Sequence, residues 1–257
     1  MKRSKMFTCG FLVALVSVMA FASIGLAGSS LDEIKGRGVL VIGTDATYPP
    51  FEYVDKNDKI VGAEVDFGNE LAKRMGVQAK FVNTAWDGIF PALDTKKFDV
   101  IISSVSITPK RAEAYDFSTP YKDSAQIVVV RKIDKVVKSK DDLKGKKVGV
   151  QIGTTSEKEA QGIAGVGEVK SYSTFVEPFM ELSFERIDAI IVNSAVADTF
   201  VQRYPERFKT AGEKFLFKQQ GVVIRKGEKQ LKEAIDKAIQ SMLDDGWIKT
   251  LRDKYLI

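Results

Sequence analysis

The sequence of 257 residues predicts an α/β protein of two similar lobes, each with a mostly parallel sheet flanked by helices. The first observation is that short β-branched runs alternate with segments whose apolar residues have helical spacing, a pattern typical of parallel sheets covered by helices. The second is an internal repeat. Residues 38–43, GVLVIG, resemble residues 145–153, GKKVGVQIG, and residues 97–104 resemble residues 186–194, where an aspartate precedes an apolar run and a polar pair. The repeat predicts two lobes of the same plan.

The N-terminus has the pattern of a secretory signal peptide. Lys2, Arg3 and Lys5 precede an apolar run over residues 11–26, and small residues surround Ala27. A charged head, an apolar middle and small residues at the cleavage site are typical of exported proteins. We predict that residues 1–27 are a signal peptide cleaved near Ala27 and that the mature chain is periplasmic. A retained membrane anchor is the alternative, although the run is near the lower length limit for a membrane span.

The composition excludes several classes of function. The sequence has no histidine, so Ser-His-Asp triads and histidine-based metal sites are absent. Its single cysteine, Cys9, lies in the predicted signal peptide, so disulfides cannot stabilise the mature chain. Without the three basic residues of the signal peptide, the chain has 36 basic and 34 acidic residues, which gives no support to nucleic-acid binding. We expect no metal and no cofactor.

The first half of the mature chain alternates strands and helices. Strands are predicted at residues 38–43, 79–82, 100–102 and 126–131, and a hairpin over residues 51–60 turns at residues 56–58. Asp66 is the candidate N-cap of an amphipathic helix over residues 66–75, and Gly76 follows its end. A further helix runs through Leu93, with Pro91 as a limit or a kink.

The second half repeats this order. The strand at residues 145–153 leads into a hydroxyl-rich turn, where either Thr154 with Glu157 or Ser156 with Glu159 fits a capping box. Residues 221–224 predict another buried strand. Apolar side chains of residues 231–243 lie on one helical stripe that ends before Gly246, and a last short helix follows.

The strand at residues 100–102 leads into the most informative loop. Three serines follow between residues 103 and 106, then Thr108 suits the N-cap of a helix and Pro109 its first position. Arg111 then lies in the first turn, beside backbone N–H groups that have no partner inside the helix. A guanidinium, free amide donors and several hydroxyls in one place suit a small carboxylate ligand.

The candidate site consists of the residues that follow the predicted strands, because open α/β sheets bind ligands beyond the carboxyl ends of their strands. These residues are Asp45, Tyr48, Trp86, Ser103, Ser104, Ser106, Arg111, Gln151, Thr154, Thr155 and Asn193. Each residue could instead have a purely structural role. An arginine on a helix is usually exposed to solvent, serines are common in loops, and a tryptophan lies more often in a hydrophobic core than in a binding site. Asp99 and Asp188 precede their strands and are assigned to structure.

Four motifs occur in order along the mature chain: GTDATYPPFE at residues 43–52, NTAWDG at 83–88, SITPKR at 106–111 and VGVQIGTT at 148–155. With the signal peptide, they resemble the periplasmic polar-amino-acid-binding proteins of ABC importers. The resemblance implies the two-lobed periplasmic-binding-protein fold, with two hinge strands near residues 122–124 and 218–220. Lobe 1 would comprise residues 28–121 and 221–257, and lobe 2 residues 122–220. The expected function is to capture a polar, preferentially basic, amino acid and to deliver it to an ABC permease, as a monomer and not as an enzyme.

The same resemblance implies roles for the candidate residues. Arg111 would hold the ligand α-carboxylate with help from Ser106, Thr154 and Thr155. Tyr48 and Trp86 would enclose the ligand side chain, whose polar or cationic tip would meet Asp45. Ser103 and Ser104 would bond to the amino end and the side chain.

Two departures from the family pattern keep an alternative open. Asn193 stands where the family usually has an aspartate for the ligand α-ammonium, and Ala63-Glu64 replaces the usual Phe-Asp pair. A neutral amide supplies no charge, so either another acid compensates or the ligand is not an ordinary α-amino acid. The alternative is a periplasmic dehydratase of a small cyclic carboxylate, similar to cyclohexadienyl dehydratases, in which an acid of the cleft protonates a leaving group.

Overall fold

The computed structural model describes residues 30–257, which form two five-stranded sheets, one small three-stranded sheet and the helices packed on them. The predicted signal peptide and residues 28–29 lie outside the described residues. Within residues 30–257, no helix combines the length and the apolar character needed to cross a bilayer.

The chain up to residue 117 contains the strands and helices of the first sheet and the small sheet. In order they are α1 (Ser30–Arg37), β1 (Val39–Thr44), β2 (Thr47–Tyr48), β3 (Glu52–Val54), β4 (Ile60–Val61), α2 (Ala63–Arg74), β5 (Gln78–Asn83), α3 (Trp86–Asp94), β6 (Val100–Ile101), α4 (Pro109–Ala114) and β7 (Tyr115–Phe117).

The rest of the chain builds the second sheet and then returns to the first. Its elements are β8 (Lys122–Arg131), β9 (Lys147–Gln151), α5 (Thr155–Gly162), β10 (Glu168–Tyr172), α6 (Val176–Ser183), β11 (Ala189–Asn193), α7 (Ser194–Arg203), β12 (Phe208–Gln220), β13 (Val223–Arg225), α8 (Lys229–Asp244) and α9 (Trp247–Tyr255). A single 3₁₀ turn at Lys140–Leu143 precedes β9.

The two large sheets have the same plan. The first has the order β5-β1-β6-β13-β7, and the second has the order β10-β9-β11-β8-β12. In the first sheet β13 runs antiparallel to both its neighbours, and in the second sheet β8 does the same. The other four strands of each sheet therefore share one direction. The fold class is confirmed, and the repeated segments occupy equivalent places, because β1 matches β9 and β6 matches β11.

Each sheet has an apolar core on both faces. In the first sheet, Phe67 and Ile235 belong to the core under α2 and α8, and Leu93 belongs to the core under α3. In the second, Phe179 of α6 belongs to the core on one face and Ala160 of α5 to the core on the other. Burial of this surface is the main favourable term in folding, and it fixes the sheet edges that carry the polar loops.

The chain crosses between the sheets twice, at residues 118–121 and 221–222. Beside these crossings the beginning of β8 pairs with the end of β12, with Lys122 opposite Gln220 and Ser124 opposite Lys218. The segments predicted as hinges are thus neighbouring antiparallel strands.

The helix α2 begins three residues earlier than predicted. Gly62 precedes it with φ of 128°, and the first two amide groups donate outside the helix, from Ala63 to the carbonyl of Pro50 (3.0 Å) and from Glu64 to the carbonyl of Phe51 (2.8 Å). The prediction that Asp66 is the N-cap is therefore wrong. The earlier start buries Glu64 in the first turn of the helix.

Candidate functional site

The loop after β6 brings buried hydroxyls to the edge of the first sheet. Ser103, Ser104 and Ser106 are all buried, and Ser104 has a positive φ of 51°, which turns the chain out of the strand. Thr108 then caps α4 as predicted, since its Oγ1 accepts a hydrogen bond from the backbone N–H of Arg111 at 3.3 Å. The cap places Arg111 in the first turn of the helix, facing the second sheet.

Arg111 is a half-buried cation with no carboxylate partner among residues 30–257. Its guanidinium donates to the carbonyls of Ser106 (3.0 Å) and Gly153 (3.3 Å) and lies 5.2 Å from the centre of the Trp86 ring. Burial lowers the pKa of Arg111 to about 10, so the group remains charged at neutral pH. A charged guanidinium without a counter-ion in an enclosed place fits an anionic ligand group.

A cavity lies between the two sheets, beside Arg111. Residues of both lobes line it, and ten of the eleven predicted site residues are among them. The lining is Asp45, Tyr48, Glu52, Trp86, Ser103, Ser104, Ser106, Arg111, Gln126, Gln151, Thr154, Thr155, Ser156, Phe175 and Gln220.

The second lobe closes over the cavity with neutral groups. Thr154 is the N-cap of α5 and accepts from the N–H of Glu157 at 3.2 Å, which decides between the two predicted registers. Gly153 just before it has φ of 71°, and an added Cβ would lie 3.5 Å from Nε1 of Trp86. Across the gap, Nε2 of Gln151 donates to Oδ2 of Asp45 at 2.7 Å. The two lobes are therefore in direct contact at both ends of this loop.

Two acids also line the cavity. Asp45 and Glu52 are both buried, and Oγ of Ser103 donates to Oε1 of Glu52 at 2.8 Å. Burial raises the pKa of Asp45, and burial together with the charge of Glu64 raises the pKa of Glu52 well above its ordinary value. The lining of the cavity thus includes one cation, Arg111, and two acids.

Beside Ser104 lies a buried charge cluster around Glu64. Its carboxylate pairs with Lys122 and accepts from the hydroxyl groups of Ser104 (3.1 Å) and Tyr121 (2.7 Å). The Lys122 amine also donates to Ser104 (2.9 Å) and lies 3.4 Å from the centre of the Phe51 ring. Because Lys122 begins β8, this cluster joins the first sheet to one of the strands that connect the lobes.

Aromatic rings line both sides of the cavity. Tyr48 lies 4.2 Å from Phe175 of the second lobe, measured between ring centres, and 5.5 Å from Phe51. Trp86 meets Phe90 edge to face at 5.6 Å. These faces suit an aliphatic stem or a cation. Among residues 30–257, no group of His, Cys, Asp or Glu side chains is arranged to hold a metal ion.

Comparison with known proteins identifies the family of this chain. Residues 40–257 match the family of bacterial extracellular solute-binding proteins, family 3. The chain belongs to this family. It is 40% identical over 246 residues to the L-cystine-binding protein TcyJ of Escherichia coli (strain K12), an alignment that covers 95% of this chain and 91% of TcyJ.

Solved structures of similar sequence have the same two-lobed fold. An ancestral arginine-binding protein bound to arginine matches with a TM-score of 0.82 and 42% identity, covering 85% of this solute-binding protein and 98% of that chain. The ancestral amino acid-binding protein AncCDT-1, a precursor of cyclohexadienyl dehydratase, matches with a TM-score of 0.83 and 38% identity, covering 88% and 99%.

One predicted site residue of this solute-binding protein does not line the cavity. Asn193 is the N-cap of α7, where its Oδ1 accepts from the N–H of Ala195 at 2.9 Å, and it lines a separate cavity near Lys122. The strand β11 ends at Asn193 and passes directly into α7, so the Asn193 side chain caps the helix. The structure therefore does not bring Asn193 to the other ten residues.

Five cavity residues escaped the sequence analysis: Glu52, Gln126, Ser156, Phe175 and Gln220. Glu52 lies within the first quoted motif but follows the loop in β3, beyond the expected strand end. Gln126 and Gln220 lie on the strands that connect the lobes, where no local pattern marks a site. Only Ser156, in the first turn of α5, follows a predicted strand end closely enough for the sequence to have suggested it.

Asp99 and Asp188 have the structural roles expected of them. The Asp99 carboxylate accepts from the N–H of Val41 at 2.7 Å, and the Asp188 carboxylate accepts from the N–H of Lys147 at 2.8 Å. Each therefore joins the beginning of one strand to its neighbour, on the side of the sheet opposite to the cavity.

Proposed function

We propose that this chain captures a polar, preferentially basic, amino acid between its lobes and delivers it to an ABC permease. The observation that carries the proposal is Arg111, a charged guanidinium without a counter-ion among the described residues, which borders a cavity lined by both lobes. The α-carboxylate of an amino acid supplies the missing anion. Ser106, Thr154 and Thr155 line the same cavity. The hydroxyls of Ser106 and Thr155 can donate further hydrogen bonds to the carboxylate, whereas the Thr154 hydroxyl already donates to the carbonyl of Gln151 at 2.7 Å, so Thr154 can add its backbone N–H.

Closure of the lobes couples capture to delivery in this proposal. Gln151 donates to Asp45, and Arg111 donates to the carbonyl of Gly153, so each of these two hydrogen bonds across the gap involves a predicted site residue. A ligand that adds contacts to both lobes shifts the population toward the closed form. The connecting strands β8 and β12 act as the hinges, and the boundaries of the lobes are residues 28–121 with 221–257 and residues 122–220.

Cellular context follows from the N-terminus and the family. The predicted signal peptide, cleaved near Ala27, delivers the mature chain to the periplasm, where it works as a monomer with a membrane permease. The relatives support an amino-acid ligand, since TcyJ is named for L-cystine and the ancestral structure holds arginine.

Catalysis is not part of the proposed function, but one observation makes the dehydratase alternative worth testing. Glu52 borders the cavity with a raised pKa, and a general acid needs a pKa near the working pH. Purified protein should bind amino acids without consuming a cyclohexadienyl acid. Turnover of such an acid, detected by ultraviolet absorbance of the aromatic product, would show that the protein is a dehydratase and would contradict the proposed function.

Calorimetric titration of the mature chain tests the proposal directly. L-Arginine, L-lysine, L-histidine, L-glutamine and L-cystine are titrated separately into protein freed of bound ligand by unfolding and refolding. We expect saturable binding of one molecule per chain, tightest for a basic amino acid, with a rise in melting temperature through mass action. Absence of binding for every amino acid would contradict the proposal.

A further inference from the structure

Glu64 and Lys122 form a buried ion pair that lies beside the cavity but does not line it. The carboxylate and the amine pair directly, and both side chains are buried. Neither residue belongs to the cavity lining, so contact with a bound ligand does not explain the pair. Glu64 is also part of the Ala63-Glu64 departure from the family pattern, to which the proposed function assigns no role.

Stability alone is a weak reason for a buried ion pair. Removing two charges from water costs about as much free energy as their attraction returns, so apolar side chains of the same size are often at least as stabilising. An ion pair differs from apolar side chains because it donates and accepts hydrogen bonds in fixed directions. The hydrogen-bond partners of Glu64 and Lys122 therefore indicate what the pair does.

Ser104 is the partner that both charges share. The Lys122 amine donates to Oγ of Ser104 at 2.9 Å, and the same hydroxyl donates to Oε1 of Glu64 at 3.1 Å. A hydroxyl has one proton, so these two bonds fix the orientation of the Ser104 side chain. Ser104 itself lines the cavity. The ion pair thus reaches the cavity through one residue.

The backbone of Ser104 needs such support. Its φ of 51° is uncommon for a residue with a side chain and persists where the surrounding contacts hold it. Gln220 adds a further contact, because its Nε2 donates to the Ser104 carbonyl at 2.6 Å. Ser103 and Ser106, on either side of this turn, also line the cavity. Loss of the contacts that hold Ser104 would therefore displace three polar groups of the lining.

Both strands that connect the lobes are attached to this turn. Lys122 is the first residue of β8 and Gln220 is the last residue of β12, and the two residues pair across these strands. The backbone N–H of Ile107 also donates to the carbonyl of Gln219 at 2.8 Å. Backbone bonds thus join the turn to β12, and the side chain of Lys122 joins it to β8.

We propose that Glu64 and Lys122 are positioning residues for ligand binding, which act through Ser104. The pair holds the turn after β6 against the beginning of β8, so that the serines of the first lobe keep one geometry when the lobes close on a ligand. The inference rests on the proposed function, because it assumes that a ligand binds between the lobes. It assigns to the pair a role in affinity that is separate from its role in stability.

A thermodynamic cycle with Ser104 tests this route. The variant Glu64→Leu, Lys122→Met gives Ser104 no hydrogen bond, and Ser104→Ala removes the hydroxyl itself. Each should weaken L-arginine binding by about tenfold in calorimetry, the value of about one hydrogen bond. Because the pair acts through Ser104, the three substitutions together should weaken binding by no more than about twofold beyond Ser104→Ala alone. Additive losses, about 100-fold in total, or no loss in the folded pair variant would overturn the inference.

The same cycle with Glu64→Gln decides the question if the apolar variant does not fold. Glu64→Gln keeps the size of the side chain but removes the charge that orients Lys122 and Ser104, so it should weaken arginine binding by about three- to tenfold. In the Ser104→Ala background its effect should fall below about twofold, and an undiminished effect there would overturn the inference. Glu113→Gln makes the same chemical change at an exposed position of α4 and serves as the control that should not alter binding.

Tyr121→Phe separates positioning from stability. The Tyr121 hydroxyl donates at 2.7 Å to Oε2 of Glu64, whereas Ser104 donates to Oε1. Its removal should lower the free energy of unfolding in denaturant and leave the arginine affinity within about twofold. A loss of affinity equal to that of Glu64→Gln would make the cluster a purely structural element and overturn the inference. Failure of the natural sequence to bind L-arginine would instead contradict the proposed basic ligand, and the inference with it.

Discussion

The two lobes share a sheet order but contribute different chemistry to the cavity between them. Asp45, Glu52 and Arg111, the charged residues of the lining within residues 30–257, all belong to the first lobe. The second lobe contributes amides, hydroxyls and the ring of Phe175. In the proposed function, the first lobe therefore recognises the ligand charges and the second lobe completes the enclosure.

The matching strands β6 and β11 show how this difference arises. Both are preceded by an aspartate with the same structural bond, at Asp99 and Asp188. After β6 the chain turns through Ser104, which has a positive φ, and leaves three buried serines, Ser103, Ser104 and Ser106, at the cavity. After β11 it enters α7 at once, and Asn193 caps that helix. A small change after equivalent strands therefore decides whether a polar side chain lines the cavity or caps the following helix.

The largest effect is expected at the charge that distinguishes the first lobe. Arg111→Ala should weaken binding of a basic amino acid by about 10³-fold, since two charge-assisted hydrogen bonds to the carboxylate are lost. Arg111→Lys should recover part of the affinity, because the charge returns without the bidentate geometry. Calorimetry measures both, with circular dichroism to verify folding. Unchanged affinity of Arg111→Ala would remove the first lobe from carboxylate recognition.

The buried cluster around Glu64, which joins the first lobe to the strand β8, should dominate stability. Lys122→Met leaves the Glu64 carboxylate buried without its cation and should lower the free energy of unfolding by about 3–5 kcal/mol. The double variant Lys122→Met, Glu64→Gln should be less destabilised, because no unpaired charge remains. The comparable pair of the second lobe, Arg131 with Asp188 at 4.0 Å, is partly exposed and should matter less. Denaturant unfolding compares these variants with Lys249→Ala, an exposed pair that should show no measurable change.

A smaller effect on binding should distinguish Ser103, after β6, from Asn193, at the end of β11. Ser103→Ala removes the hydroxyl that orients Glu52 and should weaken ligand binding by about five- to tenfold, the value of one hydrogen bond. Asn193→Ala should leave the dissociation constant within about twofold, but it should lower the free energy of unfolding by about 1 kcal/mol through loss of the helix cap. If Asn193→Ala weakened binding as much as Ser103→Ala, both residues would contribute to ligand binding, which would contradict this distinction.

The smallest effect is expected at the contact between lobes. Gln151→Ala removes the hydrogen bond to Asp45 and should weaken binding by about three- to fivefold, because the closed form loses one stabilising contact. Gln161→Ala removes the same side chain from an exposed position on α5 and serves as the control. Small-angle scattering of the free protein should show a more open average shape for Gln151→Ala only.

The sequence predicted those features that depend on neighbouring residues. The cap at Thr108, the position of Arg111 and the alternation of strands and helices are local, and the structure contains them. The strand β12 was not predicted, because its sequence lacks a regular pattern and its pairing with β8 contains register shifts. Asp66 was mistaken for a cap because the true start of α2 depends on carbonyls of a distant loop.

In the candidate site, too, the sequence did not predict positions that depend on distant parts of the chain. Residues directly after parallel strands were found, since the fold brings these ends together. Glu52 was missed because its place depends on the pairing of β3 with β2 in the small sheet. Asn193 was included because residues 186–194 resemble residues 97–104. The resemblance covers the strands, but Asn193 caps a helix, whereas Ser103 lines the cavity.

The central claim is that Arg111 of the first lobe holds the α-carboxylate, and decarboxylated arginine tests it most directly. Agmatine keeps the guanidinium and lacks only the carboxylate, so affinities of arginine and agmatine are measured for the natural sequence and for Arg111→Ala. The account predicts that the natural protein prefers arginine by about 10³-fold and that the variant loses nearly all of this preference. An arginine preference of the same size in Arg111→Ala would contradict the account.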